Sequence, residues 1–210
     1  MIRLVIADDH AIVRGGLKQI FALVPDLDVV GEAVNGSEVL ACLRLAPFDL
    51  LLLDLNMPGI SGADLIHRVK AQRQDLPVLV LSMHNDPQVA ARMLRAGASG
   101  YITKDCEPDI LLAAIRKVAA NGRYIAPDLA EKIVFDATSG GQRLPHNLLS
   151  NREFEVFRLL VTGKSVNQIA TELAISNKTV STHKVRMMEK MNLSNIADLL
   201  RYAMEHDVQG

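Results

Sequence analysis

Three carboxylates and one amine stand where short apolar runs stop. Asp8 and Asp9 close the run Ile2-Arg-Leu-Val-Ile-Ala7, Asp54 closes Leu50-Leu-Leu-Leu53, and Lys104 follows Gly100-Tyr-Ile-Thr103. If those runs are neighbouring strands, three acids meet in one small volume, a crowding that costs free energy unless a cation neutralises it. A hard divalent ion with oxygen ligands suits such a set. Mg²⁺ fits because it takes few carboxylates, keeps waters and bridges readily to phosphate oxygens. A carboxylate beside Mg²⁺ and an ammonium is equipped for phosphoryl transfer: the positive charges stabilise the phosphoryl oxygens while the aspartate oxygen attacks.

A second constellation is basic. Between residues 177 and 190, Lys178, Lys184, Arg186 and Lys190 oppose Glu189 alone, a local charge of +3. On a helical wheel of about 100° per residue, Val180, Met187 and Met191 share one side, and Lys178, Ser181, Thr182 and Val185 lie broadly opposite. One side packs; the other suits the major groove of duplex DNA. The whole chain carries a net charge of −1, so any nucleic-acid footprint is local and not global.

Both sets need elements to place them. The first half alternates β-branched runs (Ile2 to Ala7, Val29 to Ala33, Leu50 to Leu53, Val78 to Leu81, Gly100 to Thr103) with helix-length amphipathic stretches. Five such repeats predict a parallel sheet covered on both faces, since each crossover helix packs back onto the sheet. A strand order of 2-1-3-4-5 puts the first and third strands beside the crevice at the carboxyl ends, where ligands of open parallel sheets bind. The second half shows no strand pattern. Ser150 to Thr162, Val166 to Leu173, Asn177 to Met191 and Asn195 to Glu205 read as four helices, several opened by a capping Ser or Asn. The Gly, Ser and Pro content of Asp136-Ala-Thr-Ser-Gly-Gly-Gln-Arg-Leu-Pro145 marks a flexible connection. The expected division is therefore a domain over 1–120, a linker over 121–147 and a second domain over 148–210.

Composition sets bounds on all of this. At 210 residues, 49% hydrophobic and 22% charged, the chain is an ordinary globular protein with material for one or two cores, not a disordered tail. Cys42 and Cys106 form no Cys-x-x-Cys pair, which predicts neither a zinc site nor a disulfide framework. No apolar run approaches membrane-spanning length, and the start meets charge too early for a signal peptide, so a cytoplasmic protein without membrane contact is expected.

The blocks Asp8-Asp9-His10, Leu53-Asp54-Leu-Asn56-Met-Pro-Gly59, Leu81-Ser82-Met83-His84 and Gly97-Ala-Ser-Gly-Tyr101-Ile-Thr-Lys104 resemble the receiver domain of response regulators. The segments Leu149-Ser-Asn-Arg-Glu153-Phe-Glu-Val156, Gly163-Lys-Ser-Val-Asn-Gln-Ile-Ala170 and Ser176-Asn-Lys-Thr-Val180-Ser-Thr-His183 resemble the NarL/FixJ/LuxR-type helix-turn-helix. The resemblance implies a flavodoxin-like (βα)5 receiver followed by a separate all-α domain. It implies that Asp54 takes phosphate from a sensor histidine kinase, and that Asp9, Asp54 and the main-chain carbonyl of Asn56 hold Mg²⁺ with Asp8 assisting through water. It implies that Ser82 and Lys104 grip the phosphoryl group and that Tyr101 reports it. Helix 177–190 would then read double-stranded DNA through Lys178, Ser181, Thr182, Lys184, Val185 and Arg186, with the last helix pairing two copies and RNA polymerase as a further partner. Two departures stand out: Asp105 replaces the proline many receivers have after the lysine, and Ser181 and Val185 stand where many relatives carry lysine.

Singly, each residue has a plainer reading. Asp8 could cap a helix, Asp54 open a turn, Ser82 be a satisfied hydroxyl, Lys104 a solvated amine and Tyr101 a core aromatic. His10 reads as an exposed neighbour of the cap, since hard Mg²⁺ prefers oxygen, and the methionine stripe of the basic helix reads as core. Two other functions use the same groups. An aspartate-nucleophile phosphohydrolase of haloacid-dehalogenase type needs a second acid two residues after the nucleophile, where this chain has Asn56; a phosphorylation-independent DNA-binding regulator needs no intact acidic set at all.

Overall fold

A strand whose every side chain is buried must have protein on both faces, and β3 (Leu50–Asp54) and β4 (Val78–Ser82) are such strands. The computed structural model describes residues 1–83, 85–138, 144–173, 175–206 and 208. It divides into two units, Met1–Ser139 and Gly140–Gly210. In the first unit, β1 (Ile2–Ala7), β2 (Leu27–Ala33), β3, β4, β5 (Gly100–Thr103) and β6 (Tyr124–Ile125) form one parallel sheet in the order β2-β1-β3-β4-β5-β6.

Side chains alternate across that sheet. Leu50 and Leu52 join Leu4, Ile6, Leu79 and Leu81 against Leu17 and Phe21 of α1 (Ala11–Ala22) and Leu111 and Ile115 of α5 (Pro108–Ala119). Leu51 and Leu53 face the other way, onto Val39 of α2 (Gly36–Leu45), Ile66 and Val69 of α3 (Gly62–Gln72) and Met93 of α4 (Pro87–Arg95). Each such leucine is worth roughly 1.5–3 kcal/mol when taken fully out of water. The doubly covered strands therefore anchor the unit and fix where their carboxyl ends fall.

The expected order of five strands is present, and β6 extends it. Two residues are too few for a period to show in sequence, and β6 lies where Gly100 permits it: a Cβ on Gly100 would come within 2.8 Å of the Tyr124 carbonyl oxygen. The expectation of a linker over 121–147 needs correction for the same region. β6 and α6 (Pro127–Thr138) fill most of its first half, and Leu129 is buried in the α2–α4 side of the core with Ile133 packed against it. Turn-forming residues cluster only from 139 onward, and of the stretch read as flexible, 139–143 lie outside the described residues.

Every regular element among the described residues of the second unit is a helix. A short 3-10 turn (Pro145–Leu148) precedes α7 (Asn151–Val161), α8 (Val166–Glu172), α9 (Asn177–Met191) and α10 (Ile196–Glu205). Each helix begins with a side-chain cap. Ser150 and Ser165 form reciprocal capping boxes with Glu153 and Gln168, while Ser176 and Asn195 accept from the backbone N–H groups of Thr179 and Asp198. At the far end of α9, Asn192 turns left-handed (φ 54°) and its N–H closes on the last carbonyls. Phe154, Phe157, Ile169, Val180, Met187 and Leu199 make the core, so the methionine stripe is core as expected, with Met188 half-buried.

Candidate functional site

Strand register assembles the first site. Ala7 pairs with Leu53, so the next residues, Asp8 and Asp54, come side by side at the carboxyl end of the sheet. Asp54 pairs with Leu81 and Ser82 with Thr103, which sets Ser82 and Lys104 at the next level. The Lys104 N–H donates to the Ser82 carbonyl at 2.8 Å and fixes the start of that loop.

Asp8 and Asp54 are buried, and Lys104 Nζ lies between them, 2.6 Å from Asp8 Oδ2 and 3.1 Å from Asp54 Oδ1. The second approach is off the direction of a hydrogen bond, so both Asp54 oxygens are buried without one. Burial raises the Asp54 pKa; the Lys104 charge opposes that rise without cancelling it, and the Asp8 charge adds to it. Burial works against the Lys104 charge too, but the Asp8 hydrogen bond and the Asp54 charge outweigh it and the ammonium is held more firmly than usual.

Asp9 and His10 are exposed at the rim, with His10 Nδ1 2.9 Å from Asp9 Oδ1 and 3.3 Å from Asp8 Oδ1. Asp8 also accepts the His10 backbone N–H at 2.8 Å, which shapes the turn before α1 without capping the helix, and turns its other oxygen to Lys104. One ligand atom each from Asp8, Asp9, His10 and Asp54 lies within 4.8 Å of the others. Two buried carboxylate oxygens without a hydrogen bond, beside a second buried acid and a third at the rim, are a donor set that fits a hard cation.

Asn56 is exposed in the loop after β3, Ser82 is buried at the end of β4, and Tyr101 is wholly buried in the core. His84 lies outside the described residues. The pKa of the Cys106 thiol is pushed up by burial and by Asp105.

Two contributors escape the sequence reading. Arg14 donates from Nη1 to the Asp8 carbonyl at 2.8 Å and from Nε to Glu32 at 3.0 Å, tying the acidic turn to β2. Gly36 opens α2 so close to the next loop that a Cβ there would stand 2.0 Å from the Ile60 carbonyl oxygen. Only a glycine lets the segment after Asp54 lie there.

The second site is the outer face of α9. Lys178, Ser181, Thr182, Val185, Arg186 and Glu189 line an open recess of about 430 Å³. Val180, Met187 and Met191 are buried on the opposite side, as the wheel required. Lys184 is half-buried and is not among the lining residues, while Lys190 is taken up by Glu153, 2.6 Å from its Nζ. The basic footprint is thus narrower than the charge count suggested, and Ala174, between α8 and α9 in the sequence, lies outside the described residues.

The family profile described as response regulator receiver domain matches residues 4–116, and that of bacterial regulatory proteins, luxR family, matches 147–203. The chain belongs to the response regulators. This two-component response regulator, with a receiver and a LuxR-type helix-turn-helix domain, is 39% identical over 201 residues to the transcriptional regulatory protein UhpA of Escherichia coli K12, which covers 96% of this chain and 97% of that one. Among solved structures it is similar to RcsB of Salmonella enterica serovar Typhimurium bound to promoter rprA in the presence of phosphomimetic BeF3⁻. There the TM-score is 0.66 and the identity 30%, covering 97% of this response regulator and 99% of RcsB. A second structure, of two RcsB dimers bound to two parallel DNAs, has a TM-score of 0.60 and 29% identity, covering 97% and 98% of the two chains. Among the described residues of this response regulator, no helix is long and apolar enough to cross a membrane.

Proposed function

We propose that a sensor histidine kinase loads a phosphoryl group onto Asp54 and that the loaded protein binds duplex DNA as a homodimer through α9, adjusting transcription. The observation that carries this reading is the Asp54 carboxylate: buried, without a hydrogen bond, and 3.1 Å from the Lys104 ammonium. Its oxygen forms a bond to phosphorus as the phosphorus–nitrogen bond of a phosphohistidine breaks and the imidazole leaves with the electron pair. Lys104 and Ser82 hold the phosphoryl oxygens, and Tyr101 reports their arrival. Asp9, Asp54 and the Asn56 carbonyl would hold Mg²⁺, with Asp8 acting through water; the ion supplies positive charge to the phosphoryl oxygens.

Asn56, two residues after Asp54, offers no acid to a leaving group, so the acyl phosphate persists and hydrolyses only slowly. That persistence suits a regulator and not a phosphohydrolase, as does the similarity to a protein named as a transcriptional regulator. Residues 1–120, with β6 and α6 packed onto them, carry the receiver function and 148–210 the DNA function. The chain works in the cytoplasm, where a kinase's phosphohistidine, duplex DNA and RNA polymerase are all within reach. DNA contact falls to Lys178, Ser181, Thr182, Lys184, Val185 and Arg186. The structure of two RcsB dimers bound to two parallel DNAs supports the arrangement of two copies on DNA.

The test is DNA binding by the full chain with and without a small-molecule phosphodonor and Mg²⁺. Binding that tightens with the donor, and does so no longer in Asp54→Asn, is expected. Binding indifferent to the donor in both proteins would favour the phosphorylation-independent regulator instead.

A further inference from the structure

The outer face of α9 is not uniformly polar. Val185 is 56% exposed, the one large apolar side chain of that helix turned to solvent, although Val180, Met187 and Met191 on the other side complete its packing. A β-branched residue is a poor helix former, and one left in water gains nothing by burial, so folding supplies no reason for valine at this position. Single exposed apolar residues are common on protein surfaces; what distinguishes Val185 is its place. It lies in the recess between Ser181 and Thr182, one turn before it, and Arg186 and Glu189, beside and one turn after it.

Thr182, three residues back on the same face, adds a second apolar group. Its hydroxyl donates to the Lys178 carbonyl at 2.9 Å, so the donor is spent inside the helix and the methyl is what the side chain offers outward. Residues three apart on a helix are neighbours. Val185 and the Thr182 methyl therefore make a small apolar spot framed by Lys178 and Arg186, which carry the charge that draws a phosphate backbone.

In the major groove the only apolar group a base pair presents is the C5 methyl of thymine. We infer that Val185, with the methyl of Thr182, reads a thymine methyl in the half-site, and that this contact takes the place of a charged hydrogen bond to a base at that position. The inference rests on the proposed DNA-binding role of α9 and names what that helix selects. Lys178 and Arg186 fix the register on the backbone; the apolar spot chooses a T·A pair over a pair with no methyl at that point.

The experiment removes the methyl without touching the protein. Duplexes are selected from a random library by the full chain with Mg²⁺ and a phosphodonor, and each thymine of the preferred half-site is then replaced in turn by uracil. One position is expected at which uracil weakens wild-type binding about fourfold, the worth of one buried carbon group of that size. Val185→Ala, an exposed change that leaves the core untouched, should bind thymine and uracil at that position alike. In a duplex with a C·G pair there, 5-methylcytosine should restore part of the wild-type affinity and none of the Val185→Ala affinity. If binding is specific but no uracil substitution separates wild type from Val185→Ala, the inference fails and the DNA-binding role stands. If no duplex is selected at all, both fail.

Discussion

The two functional regions of this response regulator solve opposite problems. Around Asp54 the working groups are inside: two buried acids, one ammonium between them, and two carboxylate oxygens left without a hydrogen bond. On α9 the working groups are outside, and the helix is held by the Ser176 cap, the left-handed Asn192 and the Lys190–Glu153 pair. The proposed phosphoacceptor thus sits in an electrostatic setting that hydrogen bonds leave unfinished. The proposed DNA-facing surface instead rests on a capped and packed helix and offers side-chain tips to solvent. Substitutions in the first region should therefore change stability and function together, and those in the second should change function alone.

The largest effect expected is that of Lys104→Ala. Removing one member of a buried ionic set leaves Asp8 and Asp54 facing each other uncompensated, at a cost of about 3 kcal/mol. Urea unfolding followed by far-UV circular dichroism would measure it, and a loss near zero would mean the acids are less coupled than their distances indicate.

Glu153 marks where the helical region does resemble the receiver, because it too is buried and charged. Burial works against its charge, but the Lys190 ammonium and the Ser150 backbone favour the anion more, and its pKa lies below the ordinary 4.5. A group depressed in the folded state gives stability that is present above its unfolded pKa and lost as pH falls through the folded one. Hydrogen-exchange protection of α7 and α9, corrected for intrinsic rates, should hold from neutral pH to about 5 and fall below 4. In Glu153→Gln it should be lower at neutral pH and flatter with acid; an unchanged profile would remove the pair from the account.

The smallest effect on stability belongs to alanine at Lys178, Lys184 and Arg186 together. Exposed or half-exposed changes of this kind lie within about 0.5 kcal/mol each. The same protein should bind duplex DNA more weakly, with a salt dependence flattened by up to about three units per protomer. Because Lys184 is half-buried, restoring it alone should recover less than restoring Arg186. A loss of stability matching the loss of binding would erase the contrast between the two regions.

How much of this the sequence disclosed follows from how each feature is encoded. Leu50 to Leu53 announces a doubly covered strand because burial on both faces abolishes alternation, and the acid after it then has to lie at a strand end. The four C-terminal helices were legible through Ser150, Ser165, Ser176 and Asn195, since caps act locally. β6 was not, being two residues long, nor was α6, whose Leu129 declares itself only against a core built from distant segments. Arg14 escaped because a main-chain carbonyl as partner leaves no mark in a sequence. Lys190 counts as free charge in the sequence, because its partner, Glu153, lies in another helix.

The central claim is that one oxygen, that of Asp54, is the group loaded. Intact-mass and peptide-level mass spectrometry of the full chain, after incubation with a phosphoramidate donor and Mg²⁺, tests it most directly. A single phosphoryl group on the peptide carrying Asp54, lost when the divalent ion is chelated beforehand and absent from Asp54→Asn, is the predicted result. Equal labelling of Asp54→Asn, or a phosphoryl group on another peptide, would contradict it.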